Sequence, residues 1–166
     1  MRTVSGALAV SIVIILSVGN AAAEDDDRAE ILALMDQAFH AVGSGIPDDM
    51  RAIQVAEGTS ISFRQHPDGN RGELLMRMTT NEELLADDAD SDDKYSERWT
   101  GNPVVMIRGP IAVVWGEYEF RINGEFSHCG VDSADLVKTD DGWKIANWMW
   151  TVEKEGCPTD PSAAAE

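Results

Sequence analysis

Between Ile111 and Val152 the chain writes three β-strands joined by two readable turns, and apolar residues occupy both faces of those strands. A half-exposed antiparallel sheet alternates apolar with polar residues, so a sheet that is apolar on both sides needs a covering layer on each. The turns set the register. Asn123-Gly124 suits a two-residue hairpin loop, because both residues tolerate the positive φ of the primed turns. It pairs Ile122 with Glu125 and, carried along the strands, His128 with Glu119, Asp132 with Trp115 and Ala134 with Val113. The turn Thr139-Asp140-Asp141-Gly142 pairs Lys138 with Trp143, Leu136 with Ile145, Ala134 with Asn147 and Asp132 with Met149.

By the two-residue alternation of strands, one face then carries Val113, Trp115, Glu117, Glu119, His128, Asp132, Ala134, Leu136, Trp143, Ile145, Asn147 and Met149. It mixes bulk with polar groups and is expected to lie under helices and enclose a pocket. The other face carries Val114, Tyr118, Phe120, Cys129, Val131, Val137, Trp148 and Trp150. That aromatic surface is expected to be covered by a second subunit in a homodimer, or else by a helix or the tail.

Residues 1–23 have the pattern of a secretory signal peptide: Arg2, an apolar stretch from Ala7 to Val18, and Ala21-Ala22-Ala23 as a cleavage site. The stretch is short for a membrane span of about 20 residues, and an uncleaved anchor is the alternative. Cleavage after Ala23 would leave 143 of the 166 residues, the size of one domain, placed in the periplasm or secreted. The formal net charge of −17 repels nucleic acid and anionic membranes, so neither is an expected partner. In an oxidising compartment Cys129 and Cys157 are expected to form a disulfide, with two unpaired thiols as the alternative.

Ahead of the strands, apolar residues at helical spacing predict a helix from about Arg28 to Val42, ended by Gly43 and Gly45. Pro47, Asp48 and Asp49 open a short second helix. Thr59 to Arg64 and Glu73 to Met78 read as a strand pair, Thr80-Asn81-Glu82-Glu83 as a capping box, and Tyr95 to Arg108 as strand with a bend at Gly101-Asn102-Pro103. Together these predict a single α+β domain over 24–157, with 158–166 a disordered tail. Asp88, Asp90 and Asp92 have the alternate spacing of a calcium loop, but Asp93 stands at its glycine position and Trp99 at its bidentate carboxylate position. His40, His66 and His128 lack zinc-ligand spacing. No metal and no cofactor are expected.

This order of elements, ending in Asp141-Gly142-Trp143-Lys144-Ile145, resembles the nuclear transport factor 2-like superfamily. The run from Phe126 to Asp132, followed by Leu136-Val137 and Gly142 to Ile145, is similar to its small exported bacterial members, often described as SnoaL-like. The resemblance implies a curved antiparallel sheet wrapped on N-terminal helices into a cone with an apolar pocket, and dimers packed sheet to sheet. It includes ketosteroid isomerases, whose catalytic Tyr would fall near Ala38, base Asp near Ser62 or Phe63, and second pocket Asp near Ala134. None of those side chains is present, so that activity is not implied.

The candidate pocket residues are Trp115, Glu117, Glu119, His128, Asp132, Asn147 and Met149. Opposite Glu119, His128 is expected to favour the imidazolium form, as acid–base unit or rim salt bridge. It stands four residues from Asp132, roughly 13 Å along a strand, too far for a direct dyad. Asp132 among Trp115, Asn147 and Met149 is expected to have a raised pKa. Binding of a small, mainly apolar molecule is the leading expectation. A cofactor-independent isomerase, dehydratase or cyclase using Asp132 with His128 or Glu117 is the alternative, and a protein-interaction domain presenting Tyr118, Phe120, Trp148 and Trp150 is the third.

Overall fold

The computed structural model describes residues 18–65, 74–88 and 92–157. Helix α1, Val18–Ser44, and the short α2, Pro47–Arg51, precede strand β1, Gln54–Gln65. Strand β2, Leu74–Thr80, leads directly into α3, Asn81–Asp88. Strands β3, Tyr95–Trp99, and β4, Val104–Arg108, are followed by three long strands: β5, Ile111–Ile122, β6, Glu125–Thr139, and β7, Gly142–Val152. The signal peptide expected over 1–23 lies outside the described residues as far as residue 17, and 18–23 are helical. The expected tail, 158–166, also lies outside them.

The strands form one curved, unclosed sheet in the order β2-β1-β7-β6-β5-β3, with β4 beside β3 on the same edge of β5. The fold class is α+β, but the sheet is mixed rather than wholly antiparallel, because β1 runs parallel to β7. Helix α1 lies on the concave face, and its buried Ile31, Leu34, Met35, Ala38 and Phe39 share one core with Val114, Ala134, Leu136, Trp143 and Ile145. The acidic run from Glu24 to Asp27 within α1 has a structural use. Asp27 pairs with Lys138 and accepts a 3.2 Å hydrogen bond from the Trp143 indole, which ties the helix to the β6–β7 hairpin.

The local chemistry read from the sequence operates at several joints. Thr80 Oγ1 accepts from Glu83 N at 3.2 Å while Glu83 Oε2 accepts from Thr80 N at 2.8 Å, the reciprocal capping box that starts α3. Asn123 and Gly124 have φ of 55° and 84°, as a primed two-residue turn requires. Cys129 and Cys157 are bridged, with Cα atoms 5.7 Å apart.

Two β-bulges overturn half of the predicted register. The β5–β6 pairing begins as expected, Ile122 with Glu125, but shifts between Arg121 and Phe120, so that Ser127 is the extra residue and His128 faces Phe120. Asp132 then faces Gly116, and Ala134 faces Val114. The β6–β7 pairing holds from Thr139 to Leu136 and then shifts at Ala146, so Asp132 faces Trp150 and Ala134 faces Trp148. A slip of one residue turns every later side chain to the other face of the sheet. The concave face therefore carries Val114, Tyr118, Phe120, Trp148 and Trp150, which were expected under a second subunit. Val113, Trp115, Glu117, Glu119, Asn147 and Met149 fall on the convex face.

Candidate functional site

At the wide end of the cone α1 leaves the sheet uncovered, and a cavity of about 550 Å³ opens between the concave face, the end of α1, α2 and α3. Tyr118, Phe120, Trp148 and Trp150 give it aromatic walls, and Asp132, Glu97 and His128 are among the polar groups that the sheet contributes to its lining. Behind the wall, Phe39 of α1 packs edge-on to Trp99, ring centroids 4.7 Å apart, and lies 6.2 Å from Trp148. Where β5 passes Asp132 it carries Gly116, which makes room for the Trp99 ring: a Cβ there would stand 2.9 Å from it, so any side chain would displace the indole.

Asp132 is 1% exposed and is the centre of the site. Register places Glu97 of β3 opposite Phe120, on the same face, and its carboxyl is turned to Asp132 although the residue as a whole is half-buried. Burial pushes the Asp132 carboxyl up to about 7, while the neighbouring Glu97 carboxyl and Trp148 indole N–H pull it partly back. Glu97 is raised well above the usual carboxylate range, first by burial, then by the Asp132 charge and the hydrogen bond between the two carboxyls. Two adjacent carboxyls out of water hold one proton between them near neutrality, and it belongs to the pair rather than to either residue. Asp132 Oδ2 and Trp148 Nε1 nevertheless lack a partner within hydrogen-bond geometry, although the indole is close enough to lower the carboxyl pKa. Both atoms are buried beneath the cavity wall, the indole N–H turned toward the carboxyl.

His128 is neutral, contrary to expectation. The Ser127 bulge removes it from Glu119 and stacks it on Phe120 at 4.8 Å, with the Tyr118 ring edge-on at 5.8 Å. Burial, with the charges of Lys154 and Arg64, pushes its pKa down to about 4. Tyr118 is 1% exposed, donates to Thr151 O at 2.7 Å and is raised by burial and by Asp132, so it remains a phenol. Chemically, the arrangement offers a buried carboxyl pair able to give or take a proton, beside aromatic surface and a neutral imidazole.

The other predicted site residues lie elsewhere. Trp115 and Met149 are 47% and 42% exposed on the convex face, and Glu117 is exposed there as well. Glu119 is buried on that face between Arg98 and Arg121, each 2.8 Å away, which holds its carboxyl below the usual range. Asn147 accepts from Thr59 N at 3.1 Å and donates to Asp135 at 3.3 Å, filling the ladder beside the Ala146 bulge. Glu97 was missed as a pocket residue. The alternation Tyr95-x-Glu97-x-Trp99 was its signal, since it puts a carboxylate between two aromatic residues on one strand face.

No protein-family model and no curated protein matches the chain in sequence. Solved structures do match in shape. A nuclear transport factor 2-like superfamily protein from Salmonella enterica superposes with a TM-score of 0.63 at 14% identity, over 82% of this chain and 98% of that one. A protein with a cystatin-like fold from Novosphingobium aromaticivorans gives 0.62 at 16% identity, over 91% and 97%. The chain has the nuclear transport factor 2-like fold. Another match, from Streptomyces avermitilis and provisionally named a dehydratase of the nuclear transport factor 2-like family, has a TM-score of 0.56 at 15% identity, over 78% of this chain and 97% of that one. At these identities the likeness concerns fold, and the residues of the site must speak for function.

Proposed function

We propose that this nuclear transport factor 2-like protein binds a small, mainly apolar molecule in the cavity above Asp132. The carrying observation is the cavity of about 550 Å³, aromatic-walled, with a carboxyl pair sharing a proton on its wall. Its size falls within the roughly 300–1,000 Å³ of small-molecule sites, and an apolar surface with few convergent polar groups is the usual character of such sites. The polar groups on its lining that a ligand hydroxyl or carbonyl would meet are those of Asp132, Glu97 and His128. The disulfide and the N-terminal pattern favour export. The test is native mass spectrometry of the protein purified from its own host. A reproducible non-covalent adduct, lost when Trp148→Ala opens the wall, supports the reading. A bare protein that also fails to take up apolar probes refutes it.

The raised carboxyls favour a second reading, proton transfer without a cofactor in an isomerisation, dehydration or cyclisation. Asp132 would carry the proton and Glu97 would supply or share it. Glu117, on the opposite face, has no part. Under this reading Asp132→Asn abolishes turnover of the retained ligand while leaving its binding within a few-fold.

The convex face is assigned to a second copy of the chain. One row across the sheet, Val104, Trp115, Ser133, Met149, Ile61 and Met78, is apolar apart from Ser133, and Val104, Trp115, Met149 and Met78 in it are exposed. Sedimentation of Trp115→Lys should give a monomer where the parent gives a dimer.

A further inference from the structure

The rim of the cavity gathers cations in a strongly acidic chain: Arg64, Lys94 and Lys154 line it, with Asp93 as an acidic neighbour. The sequence holds 30 acidic residues against 13 Lys and Arg. Arg51, Arg98, Arg121 and Lys138 are matched to carboxylates. Arg64 and Lys154 line the cavity and have no carboxylate partner among the described residues. They come together by register: Arg64 pairs with Val152, on the face shared by Ser60, Ser62 and Trp150, and Lys154 follows two residues beyond Val152. Both stand close enough to His128 to repel a proton from it.

Their position is built rather than incidental. Glu153 exchanges two 2.9 Å backbone hydrogen bonds with Cys129, and the Cys129–Cys157 bridge clamps the segment on the far side of Lys154. The chain end carrying Lys154 is thus tied at both sides. From the row Asp132, Trp150 and Ser62, Arg64 lies one strand period further out, about 7 Å along the sheet. One or two fused rings, or a short acyl chain, would span that distance.

Resting on the binding function proposed above, we propose that the ligand is an amphipathic organic anion: its carboxylate, sulfate or phosphate group sits between Arg64 and Lys154, and its apolar body runs along Trp150 and Trp148 toward the Asp132–Glu97 pair. A buried polar end at Asp132 and an exposed cationic end at the rim, separated by aromatic wall, would fix the direction of entry. A charge-assisted contact at the rim also explains how a strongly acidic protein would attract an anion, since the two cations act locally where the distant acidic surface is screened.

A matched pair of probes tests this on the intact, disulfide-bonded protein. 8-Anilinonaphthalene-1-sulfonate and N-phenyl-1-naphthylamine share one apolar body, and only the first carries an anion. The sulfonate is expected to bind about tenfold more tightly, the scale of one charge-assisted hydrogen bond. In the double variant Arg64→Gln/Lys154→Gln that preference should fall to about twofold or less, with the neutral probe unaffected. Indole N–H resonances of Trp148 and Trp150 should move on binding, and that of Trp115 should not. Equal affinities in the parent protein, or a preference that survives the double variant, would overturn the anion proposal while leaving the cavity reading in place. If neither probe moves the Trp148 and Trp150 resonances, the cavity reading fails and takes the anion proposal with it.

Discussion

The two ends of the concave face are built from the same three strands and have opposite characters. At the narrow end Leu136, Ile145, Ala134 and Val114 are closed against Ile31, Met35 and Ala38 of α1, in an apolar core without charge. At the wide end, two to six residues along the same strands, stand Gly116, Tyr118, His128 and Asp132, and α1 gives way to the cavity. Apolar side chains close the first by excluding water. The second retains carboxyls that stay buried only by holding a proton, which costs stability. Stability and recognition are thus divided along one set of strands.

The largest expected effect breaks the narrow end. Leu136→Ala removes a side chain that is 1% exposed and should cost about 2–5 kcal/mol in urea unfolding. Replacing both Cys129 and Cys157 by alanine should cost about 3–4 kcal/mol in the chain-entropy description, from a bridge spanning 28 residues. Because the bridge ties the wide end, hydrogen exchange in the double variant should rise near Glu153 and stay unchanged at Ile145.

The third prediction sharpens the contrast through pH. The folded pKa of Asp132, about 7, lies above its ordinary 3.8, so the folded state binds more protons in between and stability falls as pH rises from about 4 to 7. Glu97 acts in the same direction. His128 acts oppositely: lowered from 6.5 to about 4, it favours the fold above its unfolded pKa, and that contribution is lost as pH falls toward 4. Unfolding measured for the parent and for Asp132→Asn isolates the carboxyl. The variant should gain on the order of 2–4 kcal/mol relative to the parent between pH 4 and 8, and a flat difference would show that Asp132 is not desolvated. The smallest effect belongs to the convex face, where Trp115→Phe, which keeps most of the half-buried ring contact, should change monomer stability by about 1 kcal/mol or less.

Legibility followed the range of the forces involved. The capping box at Thr80 and Glu83, the Asn123-Gly124 turn and the helical spacing of Ile31, Met35 and Phe39 act within a few residues, so the sequence pattern carries them directly. The first pairs beside each turn, Ile122 with Glu125 and Lys138 with Trp143, were equally readable. Asp132 and His128 were read on the correct face because β6 alternates without interruption between them. Trp115, Glu117, Glu119, Asn147 and Met149 were assigned to the wrong face, because a bulge adds one residue without a turn signal, and everything beyond it is inverted.

By itself, the sequence determined the elements, their order and the α+β class, since each follows from local pattern, whereas it left the Cys129–Cys157 bridge open against two free thiols. Only the tertiary structure decided which aromatic residues face inward, that Glu97 meets Asp132, and that Arg64 and Lys154 share a rim. Those outcomes depend on Ser127 and Ala146 being left unpaired and on strands distant in sequence meeting, and the energy of such meetings appears only when both partners are already in place.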